Sequence, residues 1–107
     1  MASDLFSLDG RIALVTGGSR GIGKMIVEGF LAAGCARVYI SARKIPQVEE
    51  AVADFDTRYP DKVIGLPFDL ASVDGCRALA AEIGVREDRL DILVNNAGAA
   101  WVDRLRI

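Results

Sequence analysis

The sequence predicts an α/β domain built on a doubly wound parallel sheet with strand order 3-2-1-4. Three observations carry that expectation. A continuously apolar run at residues 12–15 and a nearly all-apolar one at residues 90–94 read as parallel strands covered on both faces. Between the strands, apolar residues recur at three- and four-residue steps, which places helical crossovers there. A glycine-rich stretch, Thr16-Gly17-Gly18-Ser19-Arg20-Gly21-Ile22-Gly23, joins the first strand to the first helix.

Each element follows from its residues. Residues 3–10 read as a lead-in, with Asp9-Gly10 as a turn. The first strand is residues 11–16. The first helix spans residues 21–33, with a stripe of Ile22, Met25, Ile26, Phe30 and Ala33, with Lys24 and Glu28 facing away and Gly34 as its terminating glycine. The second strand is residues 37–42, where Val38, Tyr39 and Ile40 favour extended backbone. The second helix starts near Pro46 and buries Val48, Ala51, Val52 and Phe55, leaving Gln47, Glu49, Glu50 and Asp54 solvated; Tyr59-Pro60-Asp61 ends it. The third strand, residues 63–68, contains Gly65 and Pro67 and therefore belongs at an edge. Ser72 caps a third helix that runs to about residue 83, with Val73, Cys76, Leu79, Ala80 and Ile83 inward. Residues 84–89 form a charged connection. The fourth strand is residues 90–94, closed by Asn95-Asn96-Ala97-Gly98. The whole chain, 1–107, reads as one domain at most.

Composition excludes several classes. A formal charge of −2 offers no electrostatic case for nucleic acid or acidic membranes as partners. No apolar run approaches the ~20 residues that span a bilayer. The N-terminus lacks the basic start and apolar core of a signal peptide, so the expected location is cytoplasmic. There is no histidine, and Cys35 and Cys76 are far apart. A metal site or a Ser-His-Asp or Cys-His mechanism is therefore not expected, and both cysteines read as small apolar residues.

The residues that carry chemistry converge on one edge. A strand, a glycine turn and a helix bring backbone N–H groups and a positive helix end to one spot, which suits a pyrophosphate. The strand order sets a switch point between strands one and four, so the glycine turn and the Asn-Asn-Ala-Gly turn share the carboxyl edge. Asp69-Leu70 follows strand three at that edge, where an acceptor can meet an adenine amino group. Small residues after strand four let backbone approach a ligand, and Asn can bridge neighbouring strands.

Together the T-G-x-x-x-G-x-G spacing, Asp69-Leu70 and Asn95-Asn96-Ala97-Gly98 resemble the short-chain dehydrogenase/reductase family, in particular its 3-oxoacyl-(acyl-carrier-protein) reductase-like branch. The resemblance covers about residues 8–100, and residues 101–107 diverge. It implies a Rossmann-type cofactor domain. It implies that Gly17, Ser19, Arg20, Gly21, Ile22 and Gly23 hold the cofactor phosphates and adenosine ribose. Asp69 and Leu70 would contact adenine, while Asn96, Ala97 and Gly98 would line the ribose nearer the nicotinamide. Asn95 would be mainly structural. The stretch after strand two has no carboxylate for ribose hydroxyls, whereas Arg20 and Arg43 can reach a 2′-phosphate. The expected cofactor is NADP(H) in preference to NAD(H).

The family's catalytic Ser and Tyr-x-x-x-Lys pair find no match here: Tyr39 is followed four residues later by Arg43, and Tyr59 by Val63. The chain reads as the cofactor-binding half of a carbonyl reductase, truncated before its catalytic residues, with a small-molecule or acyl-thioester substrate and a homo-oligomeric assembly in the intact relative. The catalytic set of this chain is therefore none. A non-catalytic nucleotide-binding module and a non-functional gene fragment are the alternatives; a methyltransferase is disfavoured because Asn-Asn-Ala-Gly has no role there. Strand four without a further strand beside it exposes a free edge, so the chain is expected to self-associate.

Overall fold

The computed structural model describes residues 7–96. Four parallel strands, β1 (Ile12–Thr16), β2 (Arg37–Ser41), β3 (Val63–Gly65) and β4 (Ile92–Asn95), form one sheet in the order β3-β2-β1-β4. Three helices connect them: α1 (Gly21–Ala32), α2 (Ile45–Asp56) and α3 (Val73–Arg86). The expected fold and strand order are therefore those observed.

The sheet separates two cores. On one face Ala13, Val15, Val38 and Ile40 pack with Val27 and Leu31 of α1 and with Val48, Ala51 and Phe55 of α2. On the other, Ile12, Leu14, Tyr39 and Leu66 pack with Leu79 and Ile83 of α3. All five residues of β1 are buried, as a central parallel strand requires. Register aligns the strand ends: Thr16 lies opposite Ser41 on one side and Asn95 on the other.

Several expectations about side-chain faces need correction. The row of α1 that meets the sheet is Gly23, Val27 and Leu31, with Ile26 and Phe30 partly buried, whereas Ile22 and Met25 are 68% and 72% exposed. Close packing of Gly23 on the glycine turn sets the phase of the helix, and that outweighs the size of the apolar side chains. Lys24 and Glu28 do not simply face solvent but pair with Asp54 of α2 and with Arg58 just past it, so Asp54 is also engaged. Helix α3 runs a turn past residue 83, through Gly84 to Arg86, with Ser72 capping it by accepting the Gly75 N–H at 2.9 Å. Only Leu79 and Ile83 of its expected inward row are buried; Val73, Cys76 and Ala80 are exposed. Cys35 is a buried apolar residue as expected, but Cys76 is exposed and its Sγ sits 3.4 Å from the Leu70 carbonyl.

Strand boundaries also shift. β2 stops at Ser41, and β3 stops at Gly65 because, after one more bond from the Leu66 N–H to the Ile40 carbonyl, Pro67 has no N–H to offer. β4 starts at Ile92 rather than Leu90 and takes in Asn95. No helix among the described residues is long and apolar enough to cross a membrane.

Candidate functional site

The site grows from the turn between β1 and α1. Gly17 has φ 71° and Gly21 φ 59°, left-handed conformations that a side chain disfavours, so the chain can reverse tightly and enter the helix. The Gly17 N–H donates to the Ser41 carbonyl at 2.7 Å, tying the turn to the end of β2. Gly18 faces the core, where an added Cβ would lie 2.8 Å from the Ile40 side chain and 3.1 Å from that of Val27. At Gly23 the fit is tighter: a Cβ would stand 2.1 Å from the Gly17 carbonyl oxygen and 2.7 Å from the Asn96 amide nitrogen. The glycine turn, the first turn of α1 and the residue after β4 thus touch at one point.

Thr16 holds this point together, a role outside those expected from the sequence. Its hydroxyl accepts the Asn96 N–H at 2.7 Å and lies 3.3 Å from both the Val94 carbonyl and Asn95 Oδ1. The signal was available: a hydroxyl residue ends an otherwise apolar buried strand just before the glycines. Asn95 bonds to Thr16 across the strands, which is a bridging role, while Asn96 carries its side chain into the turn.

Helix α1 begins without the usual satisfaction of its N-terminus. Arg20 occupies the N-cap position with extended backbone and makes no side-chain capping bond, and the first turn has no acidic residue. Its N–H groups and dipole are therefore available to an anion. Ser19 is half-buried in the turn, and Arg20 and Ile22 are exposed beside it. Arg43 and Lys44 are exposed just past β2, and Lys44 caps α2 with no side-chain bond. Arg20 and Arg43 pair with no carboxylate among the described residues.

Asp69 and Leu70 lie in the loop before α3. One carboxylate oxygen of Asp69 accepts the Ala71 N–H at 2.9 Å, and its carbonyl accepts the Ser72 hydroxyl at 3.2 Å, so Asp69 shapes its own loop. Leu70 lines an open cavity of about 660 Å³ with Val73, Cys76, Arg77 and Ala80. None of the glycine-turn residues line that cavity. Ala97 and Gly98, like residues 101–107, lie outside the described residues.

Two carboxylates at the opposite, amino edge are engaged by their neighbours. Asp91 Oδ2 accepts the Ile12 N–H at 2.9 Å; that bond, with Arg89 and Arg11 nearby, holds its carboxyl below the usual range. Glu87, just past α3, takes both the Arg37 guanidinium and the Tyr39 hydroxyl. The Arg37 hydrogen bond leads in holding the Glu87 carboxyl down to about 2, from an ordinary 4.5. Burial and the bond to Glu87 push the Tyr39 hydroxyl up. The charged residues after β1 and β2 are cations. No cluster of three potential metal ligands occurs among the described residues.

The sequence and the fold have known counterparts. The profile of the family described as short chain dehydrogenase matches residues 11–106. A rhamnolipid-biosynthesis 3-oxoacyl-[acyl-carrier-protein] reductase from Pseudomonas aeruginosa is 58% identical over 99 residues, covering 90% of this chain and 36% of that protein. The P. aeruginosa RhlG/NADP active-site complex superposes with a TM-score of 0.75 at 53% identity, over 95% of this chain and 39% of that one. L-sorbose reductase from Gluconobacter frateurii, complexed with NADPH and L-sorbose, gives a TM-score of 0.81 at 32% identity, over 88% of this chain and 35% of that one.

Proposed function

The chain belongs to the short-chain dehydrogenase family, and from that premise we propose that its carboxyl edge is the NADP(H) site of a carbonyl reductase. The observation that carries the reading is the uncapped start of α1, with Gly23 packed on Gly17 and Asn96 and with Arg20 at its mouth. That donor set fits a pyrophosphate: open backbone N–H groups, a helix dipole and no competing carboxylate. Gly17, Ser19, Gly21 and Gly23 would let the phosphates approach backbone. Arg20 and Arg43 would hold a 2′-phosphate, the group that distinguishes NADP(H) from NAD(H). Asp69 and Leu70 would meet adenine, and Asn96, Ala97 and Gly98 the second ribose.

Bound NADPH supplies hydride to a ketone, or NADP+ accepts it from an alcohol. The 58% identity to a 3-oxoacyl reductase supports a 3-oxoacyl thioester as the substrate class. A cytoplasmic location and a homo-oligomeric whole protein complete the proposal. The residues present in these 107 positions bind and orient the cofactor. The two tyrosines favour a binding role for them over catalysis: Tyr39 is 1% exposed with its hydroxyl spent on Glu87, and Tyr59 follows α2 towards the amino edge.

Amide chemical shifts recorded on addition of NADP+ test the site. The expected changes fall on Gly17 to Gly23, Asn96 and the Ser41–Arg43 segment, while Ile12, Glu87 and Asp91 stay put. Changes concentrated at the amino edge would overturn the assignment.

A further inference from the structure

Ser41 ends β2 at a place that several parts of the site share. Its carbonyl accepts the Gly17 N–H at 2.7 Å, its register partner on β1 is Thr16, and Arg43 follows two residues on. The two strand-end hydroxyls at this level of the sheet are used differently. Thr16 spends its own on Asn95, Asn96 and the Val94 carbonyl. The Ser41 hydroxyl is wholly buried and has no hydrogen-bond partner among the described residues. Strand alternation puts Ser41 on the face of Leu14, Tyr39 and Leu66, where the Tyr39 hydroxyl is already engaged by Glu87. Buried hydroxyls are ordinarily bonded, because an unpaired one has given up water for nothing.

A partner for this hydroxyl has to come from chain already beside it. An atom so enclosed is out of reach of a ligand, or of a further segment laid on the surface, unless the backbone around it moves. Donors lie next along the chain. The N–H groups of Arg43 and Lys44 make no hydrogen bond among the described residues, and Lys44 caps α2 without a side-chain bond. A serine oxygen can accept the N–H two residues on, which tightens the backbone into a turn. Rotation of one side chain and of the 41–43 backbone brings these groups together without opening the core.

We propose that Ser41 is a positioning residue for recognition of the 2′-phosphate: its hydroxyl accepts the Arg43 N–H when Arg43 closes on that phosphate, and so fixes the loop that carries the guanidinium. The proposal rests on the NADP(H) reading of the carboxyl edge. In the free chain Arg43 and Lys44 are adjacent, exposed cations. A phosphate dianion beside them draws the loop inward. Binding then gains a hydrogen bond that the free chain forgoes, and the gain goes to the phosphorylated cofactor alone.

Calorimetric titration of NADPH and NADH into the wild-type chain, Ser41→Ala, Arg43→Ala and the double variant tests this. Ser41→Ala is expected to lose about three- to tenfold in NADPH affinity and nothing in NADH affinity, and to add nothing to the loss in Arg43→Ala. Its melting temperature without cofactor should match or exceed that of the wild type, because an unpaired polar group leaves the interior. Hydrogen exchange of the Arg43 amide in the wild-type chain needs no variant; it is expected to slow with NADPH and not with NADH. Undiminished NADPH affinity in Ser41→Ala, losses that add in the double variant, or an Arg43 amide indifferent to NADPH would overturn the proposal. So would a lower melting temperature with equal losses for the two cofactors, the mark of a merely structural serine. Equal affinity of the wild type for the two cofactors would instead overturn the cofactor reading, and this proposal with it.

Discussion

Alanine at Gly23 and alanine at Gly29 make the same chemical change on the same helix, and the structure predicts opposite outcomes. Ala is the better helix former by about 0.8–1.0 kcal/mol in a helix interior. At Gly29 a methyl meets nothing within 4 Å, so that gain should appear almost undiminished. At Gly23 the new Cβ would lie 2.1 Å from the Gly17 oxygen, 2.8 Å from the Gly17 carbonyl carbon and 2.7 Å from the Asn96 amide. Two of those contacts are backbone in a turn with positive φ, which has little room to yield. Overpacking of this kind typically costs 1–3 kcal/mol, and the absence of a flexible neighbour favours the upper end, about 3 kcal/mol. The net expectation is a loss of about 2 kcal/mol for Gly23→Ala against a gain of about 1 kcal/mol for Gly29→Ala. For a domain of this size each kcal/mol moves Tm by roughly 4–8 °C, so the two variants should bracket the wild type widely in a thermal melt. Displacement of Gly17 and Asn96 should also weaken NADPH binding by about tenfold in Gly23→Ala alone. A Gly23→Ala protein that melts at or above the wild-type temperature and binds NADPH normally would refute the packing account of this turn.

Other perturbations test separate parts of the molecule. Glu87→Ala should cost about 1–2 kcal/mol in denaturant unfolding, because it leaves the buried Tyr39 hydroxyl without its acceptor, while the half-exposed Arg37 guanidinium stays solvated. The Glu87 carboxyl is held down to about 2 in the folded chain against an ordinary 4.5, so its contribution is present above about 4.5 and is lost as pH falls from there towards about 2. An acid-unfolding curve unchanged by Glu87→Ala would contradict that role. Thr16→Val removes the acceptor of the Asn96 N–H and should cost about 1–2 kcal/mol of stability while weakening cofactor binding; equal affinity in calorimetry would argue against it. A polypeptide of these 107 residues is expected to bind NADPH without oxidising it in the presence of an acetoacetyl thioester or simple ketones. Turnover above a protein-free blank that vanishes on Tyr59→Phe would show a catalytic arrangement absent from this reading.

The order of the sheet was legible because the apolar runs that make β1 and β4 are continuous and the helical stripes between them are regular. The glycine turn was legible because its spacing is tied to what a turn, a backbone approach and a helix contact require. Side-chain faces were harder. Ile22 and Met25 look inward by size, yet the row that meets the sheet is Gly23, Val27 and Leu31, an apolar pair four residues apart in line with the glycine that contacts Gly17. The same limit explains α3, where Val73, Cys76 and Ala80 fit an inward row but only Leu79 and Ile83 find partners. Helix α3 also runs through Gly84, which periodicity alone took as a boundary. Thr16 and Glu87 act through partners about fifty to eighty residues away in sequence, and such pairings have no local mark. Arg20, Arg43 and Asp69 were legible as residue types following strands one, two and three, and the structure adds that Asp69 spends one oxygen on its own loop.

Calorimetric titration of NADPH and NADH into the wild-type chain and into Arg43→Ala tests an NADP(H) site at the carboxyl edge most directly. Charge-assisted phosphate contacts of about 1.5–3 kcal/mol each imply a preference for NADPH of roughly tenfold or more, largely lost in Arg43→Ala. Equal affinity for the two cofactors in the wild type, or a preference that survives the loss of Arg43, would contradict it.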